Sequence, residues 1–255
     1  MSVATVAGRR SEARAVSGTP SWTASARGPR RHQADATARF EGRGRVAVAV
    51  ADGVGDSAGA ALAARAAADH AVRVAVLDGR ADLAVLAARD VLLAAGGMIG
   101  GDAALTVALS PSADAVGAPW TVAWVGDCRA WSWDGRAVHP LTREHTVASE
   151  MRAAGVAVAP RLDNVLTTSV RTVRGATEIG MTAVPAPVAL VLASDGVHRS
   201  VDPARLARLV AHVPPPVLAR TLVDSARAAG THDNATALVV DTRSAGPVIP
   251  APRRP

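Results

Sequence analysis

Apolar residues along the chain fall into two recurring patterns. Short runs rich in Val, Ala and Trp, bounded by Gly, Asp or Pro, predict strands over Arg45–Ala51, Ala104–Leu109, Trp120–Val125, Ala130–Trp133, Val188–Ala193 and Ala235–Asp241. Longer Ala/Leu stretches interspersed with charge predict helices over Ala58–Leu77, Arg80–Ala95, Arg143–Ala154, Pro203–Val210 and Pro216–Ala229. The last two open with proline in the first turn, where its missing N–H has no intrahelical partner to lose. Trp120–Val125 and Ala130–Trp133 lie too close in sequence for a parallel crossover, so much of the sheet has to be antiparallel. The pattern predicts a layered α/β architecture of sheets and helices. No Gly-rich phosphate loop of Walker or dinucleotide type is present.

The two ends lack periodicity. Residues 1–20 are rich in Ser, Ala, Arg and Gly and are expected to form a disordered arm. Residues 244–255 are proline-rich and are expected to be an extended tail. The folded domain is expected to occupy residues 21–243 between them.

Composition narrows the reading further. Of the 255 residues 49% are hydrophobic but only 2% aromatic, so Ala and Val must fill the core. The single cysteine, Cys128, allows no internal disulfide, and a cytoplasmic, reducing location is expected. The formal charge is +6, and the chain contains no lysine. Several arginines fall near the ends (Arg9, Arg10, Arg14, Arg27, Arg253, Arg254), and no basic stripe is interleaved with aromatics. A nucleic-acid partner, held through the arginine-rich ends, is therefore the least favoured of the functional readings. No apolar run reaches the ~18–20 residues of a membrane span, and no membrane partner is expected.

The informative chemistry lies in the aspartates. Asp52-Gly53 and Asp195-Gly196 each follow a nearly all-apolar strand, Asp127 follows Trp124-Val125-Gly126, and Asp233-Asn234 stands just before the last strand. A carboxylate at the end of a buried strand needs a donor or a cation, and several that converge would repel one another unless a divalent ion lay between them. Donor sets made only of oxygen suit Mg²⁺ or Mn²⁺. Asp-Gly is also a common turn dipeptide, and Asp78-Gly79 and Asp134-Gly135 read as ordinary turns. Taken together, the spacing of the others favours a metal cluster.

Five segments resemble, in order, the motifs of the PP2C-type (PPM) metal-dependent protein phosphatases of bacterial kind. They are Val50-Ala-Asp-Gly-Val-Gly55, Val125-Gly-Asp-Cys-Arg129, Leu141-Thr-Arg-Glu-His145, Ala193-Ser-Asp-Gly-Val197 and His232-Asp-Asn-Ala-Thr236. The resemblance implies an αββα sandwich, two antiparallel β-sheets flanked by helices. It implies a Ser/Thr phosphatase that hydrolyses phosphoserine and phosphothreonine with a metal-activated water at a binuclear Mn²⁺ or Mg²⁺ site. The partner would be a phosphorylated protein, the product of a Ser/Thr kinase, and the enzyme a monomer. Asp52 would bridge two ions, the Gly53 carbonyl would bind one, Asp195 and Asp233 would complete the first site, and Asp127 with Asp195 would serve a third, weaker ion. Upstream, Arg30-Arg-His-Gln-Ala-Asp35 is similar to the family's RxxNED segment. That makes Arg30 the clamp on substrate phosphate and Asp35 a ligand or an anchor for water on the metal.

The chain also departs from the pattern. Ala34 stands where an acidic ligand is often found, Glu144 replaces the aspartate of LTxDH, and Cys128 replaces the serine of GDSR, where a small buried residue is expected. Asp56 replaces a glycine; it either adds charge near the ions or, like Ser57, caps the following helix. Val54 occupies a position where some members carry a histidine proposed as general acid; His145 and His198 are the candidates available in its place. Losing the Ala34 ligand opens an alternative: a pseudophosphatase that binds phosphoproteins without turnover.

Overall fold

The computed structural model describes residues 18–243 apart from residues 116 and 186. Most of the expected arm and all of the expected tail lie outside the described residues. Two five-stranded sheets form the centre. One runs in the order β1 (Ser21–Ala26), β10 (Ala235–Asp241), β9 (Ala189–Ala193), β6 (Arg129–Trp133) and β7 (Val138–Pro140). The other runs β2 (Asp35–Gly42), β3 (Arg45–Gly53), β4 (Ala103–Leu109), β5 (Trp120–Val125) and β8 (Gly180–Val184). Every pairing is antiparallel.

Alternation along the strands sorts side chains into three apolar layers, because successive residues of a strand face opposite sides of its sheet. Val46, Val48 and Val50 of β3 meet Leu190 and Leu192 of β9 and Leu238 and Val240 of β10 between the sheets. Ala47, Ala49 and Ala51, the intervening residues of β3, pack outward against α1 (Ala58–Asp78) and α2 (Ala81–Ala94). On the opposite outer face, Val191, Ala237 and Val239 pack against α5 (Pro203–His212) and α6 (Pro215–Ala228). The expected αββα sandwich is the observed fold. No helix of the described residues is long and apolar enough to cross a membrane.

The near-absence of aromatics is a packing device. Ala60, Ala63, Ala64, Ala67, Ala68, Ala71 and Ala75 are all fully buried along α1, so small side chains let this helix lie close to both β3 and α2. Ser57 caps α1, its hydroxyl accepting from Ala60 N at 3.1 Å. Gly79 ends the helix in the left-handed conformation at φ 69°, so the Asp78-Gly79 turn stands as read. The strands that escaped the sequence pattern, β1, β2, β7 and β8, all lie at sheet edges and carry polar or half-exposed residues. The helix expected over Arg143–Ala154 is only α3 (Val147–Ala153), because Thr146 caps it and is itself bridged to Leu166 in extended conformation.

Overfilling the α1 interface tests this account. Ala67→Leu forces three extra carbons into a site with no free surface and is expected to cost about 1–3 kcal/mol, measured as a lower urea midpoint at unchanged m-value.

Candidate functional site

The same alternation carries a polar cluster to one mouth of the sandwich. Asp52 shares the parity of Val46, Val48 and Val50, so it continues the line of residues that face between the sheets, at the end where β3 runs out. Its neighbours across the sheet are Asp35 on β2 and Ala104 on β4. The chain then turns closely against α1: a Cβ on Gly53 would lie 2.4 Å from the Ala60 carbonyl oxygen, so no larger residue fits. Gly126, at φ 85° and with Ala104 where its Cβ would be, turns the chain after β5 and presents Asp127. Asp195 opens the short helix α4 (Asp195–His198) after β9, and Asp233 lies immediately before β10.

These segments surround a cavity of about 170 Å³ lined by Arg30, Asp52, Gly53, Asp127, Asp195 and Asp233, with Asn164 and Leu166 on one flank. Six of the seven residues singled out in the sequence are thus brought together. Asp35 is the exception. It is set back behind the cavity lining, where it accepts a 2.7 Å hydrogen bond from Ser194 Oγ, while its other oxygen has no partner.

Asn234 ties the arginine-bearing turn to the cavity. Its amide donates to the carbonyls of Arg27 (2.7 Å) and His32 (3.0 Å), and its oxygen accepts from Ala34 N at 2.7 Å. Asp56 completes this knot by accepting from the backbone N–H groups of Arg31 (2.9 Å) and His32 (2.8 Å). Of the two uses expected for Asp56, capping belongs to Ser57 alone; Asp56 braces the turn that carries Arg30.

Burial and mutual repulsion dominate the electrostatics. Desolvation, reinforced by the charges of Asp35, Asp195, Asp127 and Asp233, holds the Asp52 carboxyl well above the ordinary range. Desolvation raises Asp127 to about 7, with Asp195 adding to the rise and the Arg199 guanidinium opposing it. Asp195 is raised too, by burial first and against the pull of Arg199, and one of its oxygens is buried without a partner. Two arginines answer part of this repulsion. Arg30 Nη2 lies 2.5 Å from Asp233, and Arg199 Nη2 lies 2.7 Å from Asp127 with its Nη1 3.3 Å from Asp195.

The donors fit a divalent cation: several carboxylates in one cleft, all hard oxygen, with buried carboxylate oxygens at Asp35 and Asp195 still lacking a partner. Among the described residues, no three His, Cys, Asp or Glu side chains stand together as an ion-binding group in this arrangement. The two guanidinium groups pair with three of the carboxylates instead.

Neither His145 nor His198 lines the cavity. His198 is buried, its Nε2 lies 3.0 Å from the Asp127 carbonyl, and desolvation with the Arg129 and Arg199 charges pushes it down to about 3, so it is neutral. Burial lowers His145 likewise. Cys128 is a buried thiol pushed far up by desolvation, the small core residue expected. Arg199 and Asn234 do not stand out in the sequence as site residues. The spacing of Asp195 and Arg199, four apart, was the available signal for the first; for Asn234 it was the adjacent Asp233.

No family model matches the sequence, and no curated protein matches it. Solved structures do. A bacterial serine phosphatase superposes with a TM-score of 0.75 at 17% identity, over 88% of this chain and 97% of the other. The catalytic domain of the serine/threonine protein phosphatase PstP, in complex with two manganese ions, gives 0.72 at 22% identity, over 87% and 97%. The PPM Ser-Thr phosphatase MsPP from Mycobacterium smegmatis, in complex with cacodylate, gives 0.71 at 24% identity, over 87% and 97%. The chain has the fold of the bacterial PPM Ser/Thr phosphatases along essentially their whole length.

The raised Asp127 sets a direction for pH. In the absence of divalent ions, a folded value of about 7 against an ordinary 3.8 means that the folded state binds this proton more tightly. The stability it contributes is full below 3.8 and is lost as pH rises through about 7. Asp127→Asn, neutral throughout, is expected to raise the Tm of the metal-free protein at pH 8 and to converge on wild type as pH falls toward 4, read by thermal denaturation in chelator.

Proposed function

We propose that this chain is a metal-dependent phosphoprotein phosphatase of the PP2C type. Its substrates would be phosphoserine and phosphothreonine in proteins, the products of a Ser/Thr kinase. The observation that carries the reading is the convergence of Asp52, Asp127, Asp195 and Asp233 on one cavity together with Arg30. The PPM fold supports it.

Asp52, the Gly53 carbonyl, Asp195 and Asp233 would hold two Mn²⁺ or Mg²⁺ ions, with Asp35 behind them available to anchor water. When bound, such ions neutralise charge on a phosphoryl group and lower the pKa of a water to the range where it attacks at neutral pH. The chain's own residues do the remaining work. Arg30 stands at the rim with its side chain about one-third exposed, and its planar fork matches two phosphate oxygens where a lysine would offer a point charge. Its present partner is Asp233, so recruiting Asp233 as a ligand frees the fork for substrate. Gly53 and Gly126 allow the chain to pack closely against Ala60 and Ala104 where Asp52 and Asp127 reach the cavity.

Proton delivery to the leaving group has no side chain assigned. Val54 lines the cavity and is half exposed, and His145 and His198 are turned elsewhere. Aryl phosphates, whose leaving groups need no proton, would then be cleaved with less loss than phosphothreonine.

A second reading rests on Ala34. Its side chain is buried, in the turn beside Gly53, where an acidic ligand is often found. A centre weakened at that point would capture phosphoproteins without cleaving them.

Hydrolysis of p-nitrophenyl phosphate and of a phosphothreonine peptide, measured with and without Mn²⁺, separates the two. Turnover that needs Mn²⁺ is expected, faster on the aryl ester, and Asp195→Asn is expected to lower kcat/KM by at least about 100-fold. Arg30→Lys is expected to raise KM with kcat little changed, the mark of lost substrate binding. Phosphopeptide binding without turnover in wild type would select the pseudophosphatase, and equal turnover in Asp195→Asn would remove the metal mechanism.

A further inference from the structure

Arg199 stands four residues beyond Asp195, and its side-chain polar contacts fall on both the floor and the wall of the cavity. Nη2 reaches Asp127 Oδ2 at 2.7 Å and the Asp163 carbonyl at 2.8 Å; Nη1 reaches Asp195 Oδ2 at 3.3 Å and the Asn164 side-chain oxygen. The first and third of these partners belong to the floor of the cavity. The other two belong to a separate segment, the 3₁₀ turn Pro160–Asn164, which continues through Leu166 along the flank of the same cavity. One planar cation therefore joins floor to wall.

Two further observations set this contact apart from an ordinary surface ion pair. The side chains of Asp127 and Asp195 are only 10% and 16% exposed, so their repulsion is poorly screened and a cation between them is worth far more than at the surface. The wall segment has its own polar ties, Arg152 to Asp163 at 2.6 Å and backbone bonds between Val147 and Val165 and between Thr167 and His145. Among the described residues, Arg199 is the side chain that pairs with cavity carboxylates and with this wall at once.

We propose that Arg199 is a built-in cation. Its guanidinium occupies the place between Asp127 and Asp195 that a third divalent ion would otherwise take, and its fork fastens the 160–166 segment beside the cavity. Arg199 is thus a positioning residue, acting on the reaction through the carboxylates it neutralises and the wall it holds. The assignment rests on the metal-dependent reading above and adds to it a limit: this chain holds two divalent ions where its carboxylates, without Arg199, would hold three.

The test counts ions and measures mobility in the full chain, with folding checked by near-UV circular dichroism from the tryptophans. Mn²⁺ titrations followed by calorimetry and electron paramagnetic resonance are expected to give one more bound ion in Arg199→Gln than in wild type, while Arg199→Lys, which keeps the charge, matches wild type. Amide hydrogen exchange over residues 163–167 in the metal-free proteins is expected to quicken about 10-fold or more in both variants, because neither has the fork that reaches wall and floor together. Equal, non-zero ion counts in wild type and Arg199→Gln overturn the assignment and leave the metal-dependent reading standing; no bound ion in either overturns both. Unchanged exchange also overturns it. Should Arg199→Gln fail to fold, the exchange rate in Arg199→Lys alone decides.

Discussion

Carboxylates crowded into a dry cleft cannot all be ionised without a cation among them. Everything distinctive about this molecule follows from how it brings that crowd together and how it tolerates the result. Asp52 lies on the inward-facing line of β3, Asp195 and Asp233 flank the inner strands of the other sheet, and Asp127 stands where β5 turns toward β6. The sandwich thus directs carboxylates from both sheets to one opening. Burial raises the pKa values of Asp52, Asp127 and Asp195, and two arginines, one from the turn before β2 and one just past the end of α4, pair with three of the four cavity aspartates.

The thinness of the layers serves this convergence. With alanine at nearly every buried position of α1, the start of that helix comes so near Gly53 that a single Cβ there would meet the Ala60 carbonyl. The end of β3 is pinned between β2, β4 and the helix, so Asp52 has little freedom to move away from its neighbours. A core of larger residues would reach the same burial with more separation between layers and a looser mouth. Alanine, the residue with no side-chain entropy to lose, is a low-cost way to fix the geometry.

How much of this was legible in the chain depended on how strongly each element was buried. Central strands such as Trp120–Val125 and Ala235–Asp241 read off to the residue, because they are apolar on both faces and cannot be anything but interior. Edge strands were missed: Ser21–Ala26 and Asp35–Gly42 alternate with Ser, Thr, Arg and Glu, and their pairing is set by the neighbour they dock on. The site divides the same way. Aspartates that end apolar strands were visible as a set, since a charge at the end of a buried run is costly and asks for an explanation. Arg199 was not, because its significance lies in what faces it across 36 residues of chain, at Asp163, and 72, at Asp127. Asp35 fell between: it neighbours Asp52 across the sheet but is held back from the cavity by Ser194.

The absence of lysine gives the basic side of the site a consistent character. A guanidinium stays charged at any working pH and donates in a fixed plane, so it can hold two carboxylates and two further acceptors at once, as Arg199 does. An ammonium ion on a flexible stem could neutralise one carboxylate but could not also define the distance from floor to wall. Arg30 and Arg199 nonetheless stand differently in the fold. Arg30 sits on a turn knotted by Asn234 and Asp56, and its partners are one carboxylate and one carbonyl. Arg199 is committed to four partners on three segments, and its departure would cost all of those contacts together. The first is held by few contacts at the rim; the second is placed to stay.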